Sequence, residues 1–189
     1  RRIRAFTVNL GVSAECDLDL PYTGQDGSWF RYVEGVARIL DADHFAVRGA
    51  DLLISSNVPT GAGLSSSAAL EIAVGFALSS LSGGEITRTA LAKTGQRTEH
   101  EFIGAQIGIM DQFVSANAVA DHALFLDCRS LDFENVPFDT KEFAVVICDS
   151  RIRHELAESG YNDRRRECAE AVRHLQTVYP AVQSLRDVS

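Results

Sequence analysis

With 189 residues, 46% apolar and 23% charged, the chain has the make-up of a water-soluble globular protein with room for a substantial core. A formal net charge of -8 argues against a nucleic-acid partner, which needs clustered positive charge, and no apolar run reaches the roughly 18 residues that span a bilayer, so no membrane partner is expected. Cys16, Cys128, Cys148 and Cys168 are far apart, with no CxxC or Cys/His grouping and no signal-peptide pattern, which predicts reduced thiols in a cytoplasmic protein.

Taken in order, residues 3 to 20 mix β-favouring Ile3, Phe6, Val8 and Leu10 with alternating Leu18-Asp19-Leu20, and predict two short strands. Gly24-Gln25-Asp26-Gly27 is a turn or loop. From Trp29 to Leu40 the apolar positions Phe30, Val33, Val36, Ala37 and Leu40 recur at helical spacing, which places Arg31, Glu34 and Arg38 outside and gives Trp29 a packing role. A β-branched run, Leu52-Leu53-Ile54, leads into the stretch Val58-Pro59-Thr60-Gly61-Ala62-Gly63-Leu64-Ser65-Ser66-Ser67, with a helix from Leu64 to Leu81. That helix carries Leu70, Ile72, Ala73, Val74, Phe76, Ala77 and Leu78 with little polar face, so it should lie in the middle of the domain; Gly75 within it calls for a closely packed neighbour, and Ser82-Gly83-Gly84 ends it.

A second helix runs from Ile86 or Thr87 to Ile103 and stops at Gly104, with Glu99, His100 and Glu101 near its end. Acidic groups there oppose the helix dipole, so either a cation compensates them or they form a solvated turn. In Gly108-Ile109-Met110-Asp111-Gln112-Phe113-Val114 the apolar residues 109, 110, 113 and 114 share a stripe while Asp111 and Gln112 point elsewhere; Asp111 is a cap or a base beside a bound hydroxyl. Ala123–Cys128 and Leu131–Val136 flank an Arg129-Ser130 turn as a hairpin, and Phe143–Cys148 reads as a buried strand. The last helix, Tyr161–Val178, has Cys168, Val172, Leu175 and Val178 on one side, a solvated Arg164-Arg165-Arg166 run, and an Arg166–Glu170 pair at i, i+4.

The glycine stretch sits between strand and helix, where small residues let the backbone fold closely round an anion and the helix N-terminus faces it. It is a phosphate cradle or a capped turn. A P-loop would need a lysine, which is missing; a dinucleotide fingerprint would need a third glycine, where Ser66 stands. A serine-rich cradle that relies on a metal and an acid elsewhere is left. Residue patterns alone reach a mixed α/β protein with a phosphate loop.

VPTGAGLSSSAALE, RTEHEFIG, GIMDQF, HALFLDCRSL and HELAESGYNDRRRECAEA, in this order and spacing, resemble the galactokinase branch of the GHMP small-molecule kinases. The resemblance implies the GHMP kinase fold, an α/β (α+β) architecture of two domains: residues 1–139 as the N-terminal domain, its sheet packed on the two helices after the glycine loop, and 140–189 as the start of a ferredoxin-like C-terminal domain. It implies ATP and Mg²⁺ as cofactors and transfer of the γ-phosphoryl group to the C1 hydroxyl of galactose, by an enzyme acting as a monomer. Pro59, Gly61, Ala62, Gly63, Leu64, Ser65, Ser66 and Ser67 then match the ATP phosphate loop, with Ser66 or Ser67 and Glu99 holding Mg²⁺. Asp111 matches the catalytic aspartate, and Gly108 and Tyr161 the sugar contacts. Trp29, Ser56 and Asn57 fall in the neighbourhood of the adenine pocket.

The chain departs from the family in three places. A GRVNLIGEHTDY-like segment and a C-terminal glycine-rich segment are not in the sequence, so the 189 residues correspond to about the middle half of a galactokinase and are expected to turn over poorly alone. Gln106-Ile107 differs from common versions before Gly108. A kinase for N-acetylgalactosamine or arabinose, and a sugar and ATP sensor without turnover, are the alternatives; Ser66, Ser67, Glu99 and Asp111 together favour catalysis.

Overall fold

The structure, a computed structural model, describes residues 1–24, 29–139, 141–148 and 160–188. Gln25, Asp26 and Gly27 of the expected turn, and the segment 154–159 of the last motif, lie outside these residues. Strands β1 (Arg2–Thr7) and β2 (Val12–Asp17) form an antiparallel hairpin, and β3 (Ala50–Ile54) pairs in parallel with β1, giving a sheet of order β2-β1-β3. Alternation along β1 turns Ile3, Ala5 and Thr7 inward and leaves Arg4 outside, where it pairs with Asp51 of β3 through both guanidinium arms at 2.6 Å. Leu18 to Leu20 falls outside β2; Leu18 is nonetheless in the core.

Helix α1 (Phe30–Ala42) covers the inner face of the sheet, and α2 (Ser66–Leu81) packs beside it, so that Ile3, Ala5, Val33, Val36, Leu40, Val74 and Leu78 close one core. The expectation about these two helices is inverted. α1 is the enclosed one, with residues 33 to 37 all buried between the sheet on one side and α2 and α3 (Arg88–Thr98) on the other. α2 buries Ile72, Val74 and Leu78 but leaves Ala73, Phe76 and Leu81 exposed, because among the described residues its neighbours occupy only one side. The sheet accordingly rests on the helices before and after the glycine loop, not on the two after it.

The buried surroundings of α1 also overturn the placing of its charges outside. Glu34 is buried and accepts from Arg38 Nε at 2.8 Å, while Arg38 also donates to the carbonyls of Asp17 and Leu20. Arg31 is half-buried, donating to the Tyr22 hydroxyl and the Phe102 carbonyl. These side chains join α1 to the loops at its two flanks. Trp29 packs edge-to-face on Phe30 at the rim of the core. Gly75 has the close neighbours its place in a helix calls for: a Cβ there would stand 2.5 Å from Leu91 Cδ1 and 3.3 Å from Val36 Cγ1.

Downstream, α4 (Met110–Asn117) packs on α3, and the hairpin β4 (His122–Leu126) and β5 (Phe133–Pro137) closes a second, smaller core with Ala92, Ile109 and Phe113. The hairpin loop is wider than a two-residue turn, running from Asp127 to Asp132. The stripe expected on α4 splits. Ile109 and Phe113 are buried while Met110 and Val114, about 100° further round, are exposed, and Gln112 turns into the interior.

Residues 143–148 do not form a strand: Phe143, Val145, Val146 and Ile147 are exposed, and no strand among the described residues offers them a ladder. Helix α5 (Tyr161–Gln176) half-buries Ala171, Val172 and Leu175, whereas Cys168 and Val178 are exposed. Arg166 pairs with Asp163 one turn back, at 3.0 Å, in place of Glu170. The four cysteines are free thiols. Among the described residues no helix is long and apolar enough to cross a membrane.

Candidate functional site

The glycine stretch begins where β3 ends. Asn9, just past β1, holds its entrance: Asn9 Nδ2 donates to the Ser56 carbonyl at 2.6 Å, Asn9 Oδ1 accepts from the Ser56 N–H at 2.8 Å, and Ser56 Oγ accepts from the Val58 N–H. Pro59, Gly61 and Gly63 are exposed, and Ala62, Leu64, Ser65, Ser66 and Ser67 are half-buried. Every second residue of the tip has a left-handed backbone, with φ of 67° at Gly61, 71° at Gly63 and 54° at Ser65. Such alternation turns successive N–H groups toward one side and makes an anion-binding concavity. A Cβ on Gly63 would meet nothing within 4 Å, so the loop is open where a ligand would lie. Ser65 is the N-cap of α2 without a side-chain cap bond, which leaves the helix N-terminus facing that space.

Helix α3 starts on Thr87, whose Oγ1 accepts from the Ala90 N–H, and continues from Glu99 to Ile103 as a π-helical turn that ends at Gly104 with φ 86°. The wider turn is the feature that helical spacing does not reveal, and such bulges recur at functional positions. Glu99, the first residue of this turn, continues the buried face of α3 with Ala92 and Gly95 and is 0% exposed; neither carboxylate oxygen has a full hydrogen bond among the described residues, the Ser67 hydroxyl standing beside it. Burial pushes the Glu99 carboxyl up to about 7; Ser67 pulls it down and Asp111 adds to the rise. Glu99 therefore stands between the start of α2 and the start of α4. A buried carboxylate with no more than one hydroxyl beside it is costly unless a proton or cation completes it.

The loop 104–108 delivers α4. The Ile107 carbonyl accepts from Gln96 Nε2 at 3.3 Å and lies 2.9 Å from His100 Nε2, which makes that ring nitrogen the protonated one. Asp111 is in the first turn of α4, half-buried, and a Cβ on Gly108 would meet nothing within 4 Å. From α5, Asn162 reaches back to the same loop, and its neighbour Tyr161 is the first residue of that helix. The structure thus gathers the serine end of the glycine loop, Glu99 and Asp111, and ties the Tyr161 end of α5 to the loop before Asp111. Trp29 belongs to the packed rim of the main core.

Three residues of this neighbourhood escaped the sequence reading. Glu71, on α2, is 0% exposed and accepts from Gln112 Nε2 at 3.1 Å. Burial, with Glu99 adding to it, pushes its carboxyl well above the usual range, and the Gln112 bond opposes the rise. The signal was present: Glu71 is the one acid in an apolar helix and lies four residues after Ser67, on the same face. Asn9 and Asn162 had no signal, since each acts on backbone distant in sequence.

The donor set suits a magnesium ion held partly by substrate. Among the described residues no three acidic, histidine or cysteine side chains converge on one point, yet Glu99 offers two unpartnered oxygens beside Ser67. Mg²⁺ is commonly bound by one or two carboxylates, with phosphate and water completing its shell.

Residues 31–118 match the family described as GHMP kinases N terminal domain. The chain is 46% identical over 188 residues to a galactokinase of Chloroflexus aggregans, covering 100% of this chain and 48% of that protein, and 49% identical over 162 residues to one of Roseiflexus, covering 86% and 41%. The crystal structure of Lactococcus lactis galactokinase complexed with galactose superposes with a TM-score of 0.83 at 33% identity, covering 100% of this chain and 49% of that one. Methanococcus jannaschii mevalonate kinase, at 24% identity and a TM-score of 0.55 over 61% of this chain and 37% of its own, shares the fold. The chain spans about half the length of the curated relatives it matches. Residues 31–118 thus match a GHMP kinase N-terminal domain, and the chain is similar to galactokinases along its length and shares their fold.

Proposed function

We propose that this chain is the nucleotide-binding and catalytic part of a galactokinase, which transfers the γ-phosphoryl group of ATP to the C1 hydroxyl of galactose. The observation that carries the reading is the place of Glu99: a fully buried carboxyl group with the Ser67 hydroxyl as its nearest donor, between the serines that end the glycine loop and Asp111. It stands where a phosphate–metal end and a hydroxyl end of a transfer reaction would meet. Similarity to galactokinases over the whole chain, one of them solved with galactose, supports the choice of sugar.

Residues Pro59 to Ser67 would hold the nucleotide phosphates through backbone N–H groups and the start of α2, with Ser56 and Asn57 toward the adenine. Glu99 with Ser66 or Ser67 would hold Mg²⁺, which supplies neutralisation of phosphate charge when bound. Asp111 would accept the proton of the C1 hydroxyl or orient it for in-line attack, and Gly108, open above its Cα, leaves room for the sugar. Tyr161 would contact the sugar from α5. Residues 1–139 form the N-terminal domain of this reading and 140–189 begin the second; the enzyme acts in the cytoplasm as a monomer.

The test is ADP release by the full-length protein with ATP, Mg²⁺ and a panel of sugars. Galactose-dependent turnover is expected. Turnover confined to N-acetylgalactosamine or arabinose would replace the substrate, and binding of ATP and sugar without ADP release would make the protein a sensor.

A further inference from the structure

Glu71 has no part in the chemistry above, yet it is a fully buried carboxyl group in the middle of it. We propose that the hydrogen bond from Gln112 to Glu71 sets Asp111 against the phosphate loop, which makes Glu71 a positioning residue for phosphoryl transfer. The inference rests on the kinase reading.

Each end of the bond is attached to one half of the candidate site. Glu71 is four residues into α2 from Ser67, so its carboxyl moves with the phosphate loop. Gln112 is the residue after Asp111, so its amide moves with the base. Both side chains are 0% exposed and the Nε2–Oε2 distance is 3.1 Å. Helix α3 is shaped to admit the bond: Gly95 lies against it, and a Cβ there would come within 2.9 Å of Gln112 Cγ and 3.1 Å of Glu71 Oε2.

The bond also lacks substitutes. Glu71 Oε1 and Gln112 Oε1 have no partner among the described residues, so a slide of α4 along α2 would break the one polar contact these side chains make and replace it with nothing. A buried group left unsatisfied is costly, and that cost fixes the register of the two helices. Phosphoryl transfer needs that register, because displacement of a reacting group by about 1 Å can cost on the order of a hundredfold in rate. Glu71 touches no reacting atom; it acts through Gln112.

Steady-state kinetics and thermal unfolding of the full-length protein test this with two variants. Glu71→Gln keeps the shape and an acceptor oxygen and should retain most of the turnover. The double variant E71M/Q112M removes both partners at similar volume, so it strands no buried polar atom and should fold with a near-native Tm. It should nevertheless lose about tenfold or more in kcat while KM for ATP changes little. Native kcat in the folded double variant, or an equal kcat loss in Glu71→Gln, overturns the positioning role and leaves the kinase reading in place. No sugar-dependent turnover by the unmodified protein overturns both.

Discussion

Asn162 grips the loop before Asp111 with both ends of its amide: Oδ1 accepts from the Gln106 N–H at 2.9 Å and Nδ2 donates to the Gly104 carbonyl at 3.2 Å. One half-buried side chain thereby couples α5, with Tyr161 at its start, to the turn that ends at Glu99's π-helical segment and leads to Asp111. Asn162→Ala removes two hydrogen bonds of about 1 kcal/mol each. The expected result is a rise in sugar KM of up to about tenfold, with nucleotide affinity little changed. Asn162→Asp should not rescue it, because a carboxylate would then face the Gly104 carbonyl. Initial-rate kinetics with sugar and ATP varied separately check this, and unchanged sugar KM in Asn162→Ala would refute the coupling.

Asp111→Asn keeps size and shape but has little capacity to take a proton. A positioned acid or base typically contributes about 10² to 10⁴ in rate, so turnover should fall by that order. Nucleotide binding, which depends on the loop from Pro59 to Ser67, should survive. Calorimetric titration with a non-hydrolysable nucleotide, next to the ADP-release assay, separates the two. Undiminished turnover in Asp111→Asn would remove Asp111 from its proposed role.

What the sequence made legible follows the range of the forces involved. The strand, glycine loop and helix from Ala50 to Leu81 are local signals, as are the Thr87 start and the Gly104 stop, and they stand where the residues put them, save that α2 begins at Ser66, two residues after the expected Leu64. Gly75 was legible too, because a glycine inside a helix needs a reason. Glu34 was not: an acid on the polar stripe of a helix gives no sign that the Asp17–Leu20 loop will draw Arg38 across it. Nor was the π-helical turn from Glu99 to Ile103, because one extra residue in a helix leaves no mark on the spacing of the apolar positions before it. Phe143 to Cys148 marks the opposite limit, since β-branched composition offers a strand and pairing alone makes one.

Gly95→Ala inverts the usual expectation for a helix. Propensity alone favours Ala by about 1 kcal/mol. Here the new methyl would stand 2.9 Å from Gln112 Cγ, on a fully buried side chain that its bond to Glu71 holds in place. Overpacking of this kind costs about 1 to 3 kcal/mol, so the variant should be less stable than the parent in urea. A gain in stability would show that the three helices separate easily at this point.

Ser65 holds φ 54° at the start of α2, a left-handed conformation that strains any residue with a Cβ. Ser65→Gly should keep the stability within about 0.5 kcal/mol, because relief of strain offsets the greater freedom of the unfolded chain. Ser65→Val, with a branched Cβ, should lose about 1 to 2 kcal/mol and weaken nucleotide binding by bending the loop out of its alternation. Equal stability of the Gly and Val variants would mean that the loop relaxes freely and is not preset for phosphate.

Glu99 and Glu71 give stability a pH dependence of definite sign. Burial raises Glu99 from the ordinary carboxyl value of 4.5 to about 7, and it raises Glu71 in the same direction. A carboxyl held above its unfolded value favours the folded state most when protonated. That contribution is complete below about pH 4.5 and is lost as pH rises to about 7 and beyond. Thermal unfolding in chelator should therefore show a Tm that falls across this window where these two groups dominate. Glu99→Gln, which cannot ionise, should flatten the fall. Mg²⁺ with nucleotide should raise Tm most above pH 7, where Glu99 is charged and able to hold the cation. A magnesium effect of the same size at pH 5 and pH 8, or one that persists in Glu99→Gln, would place the ion elsewhere.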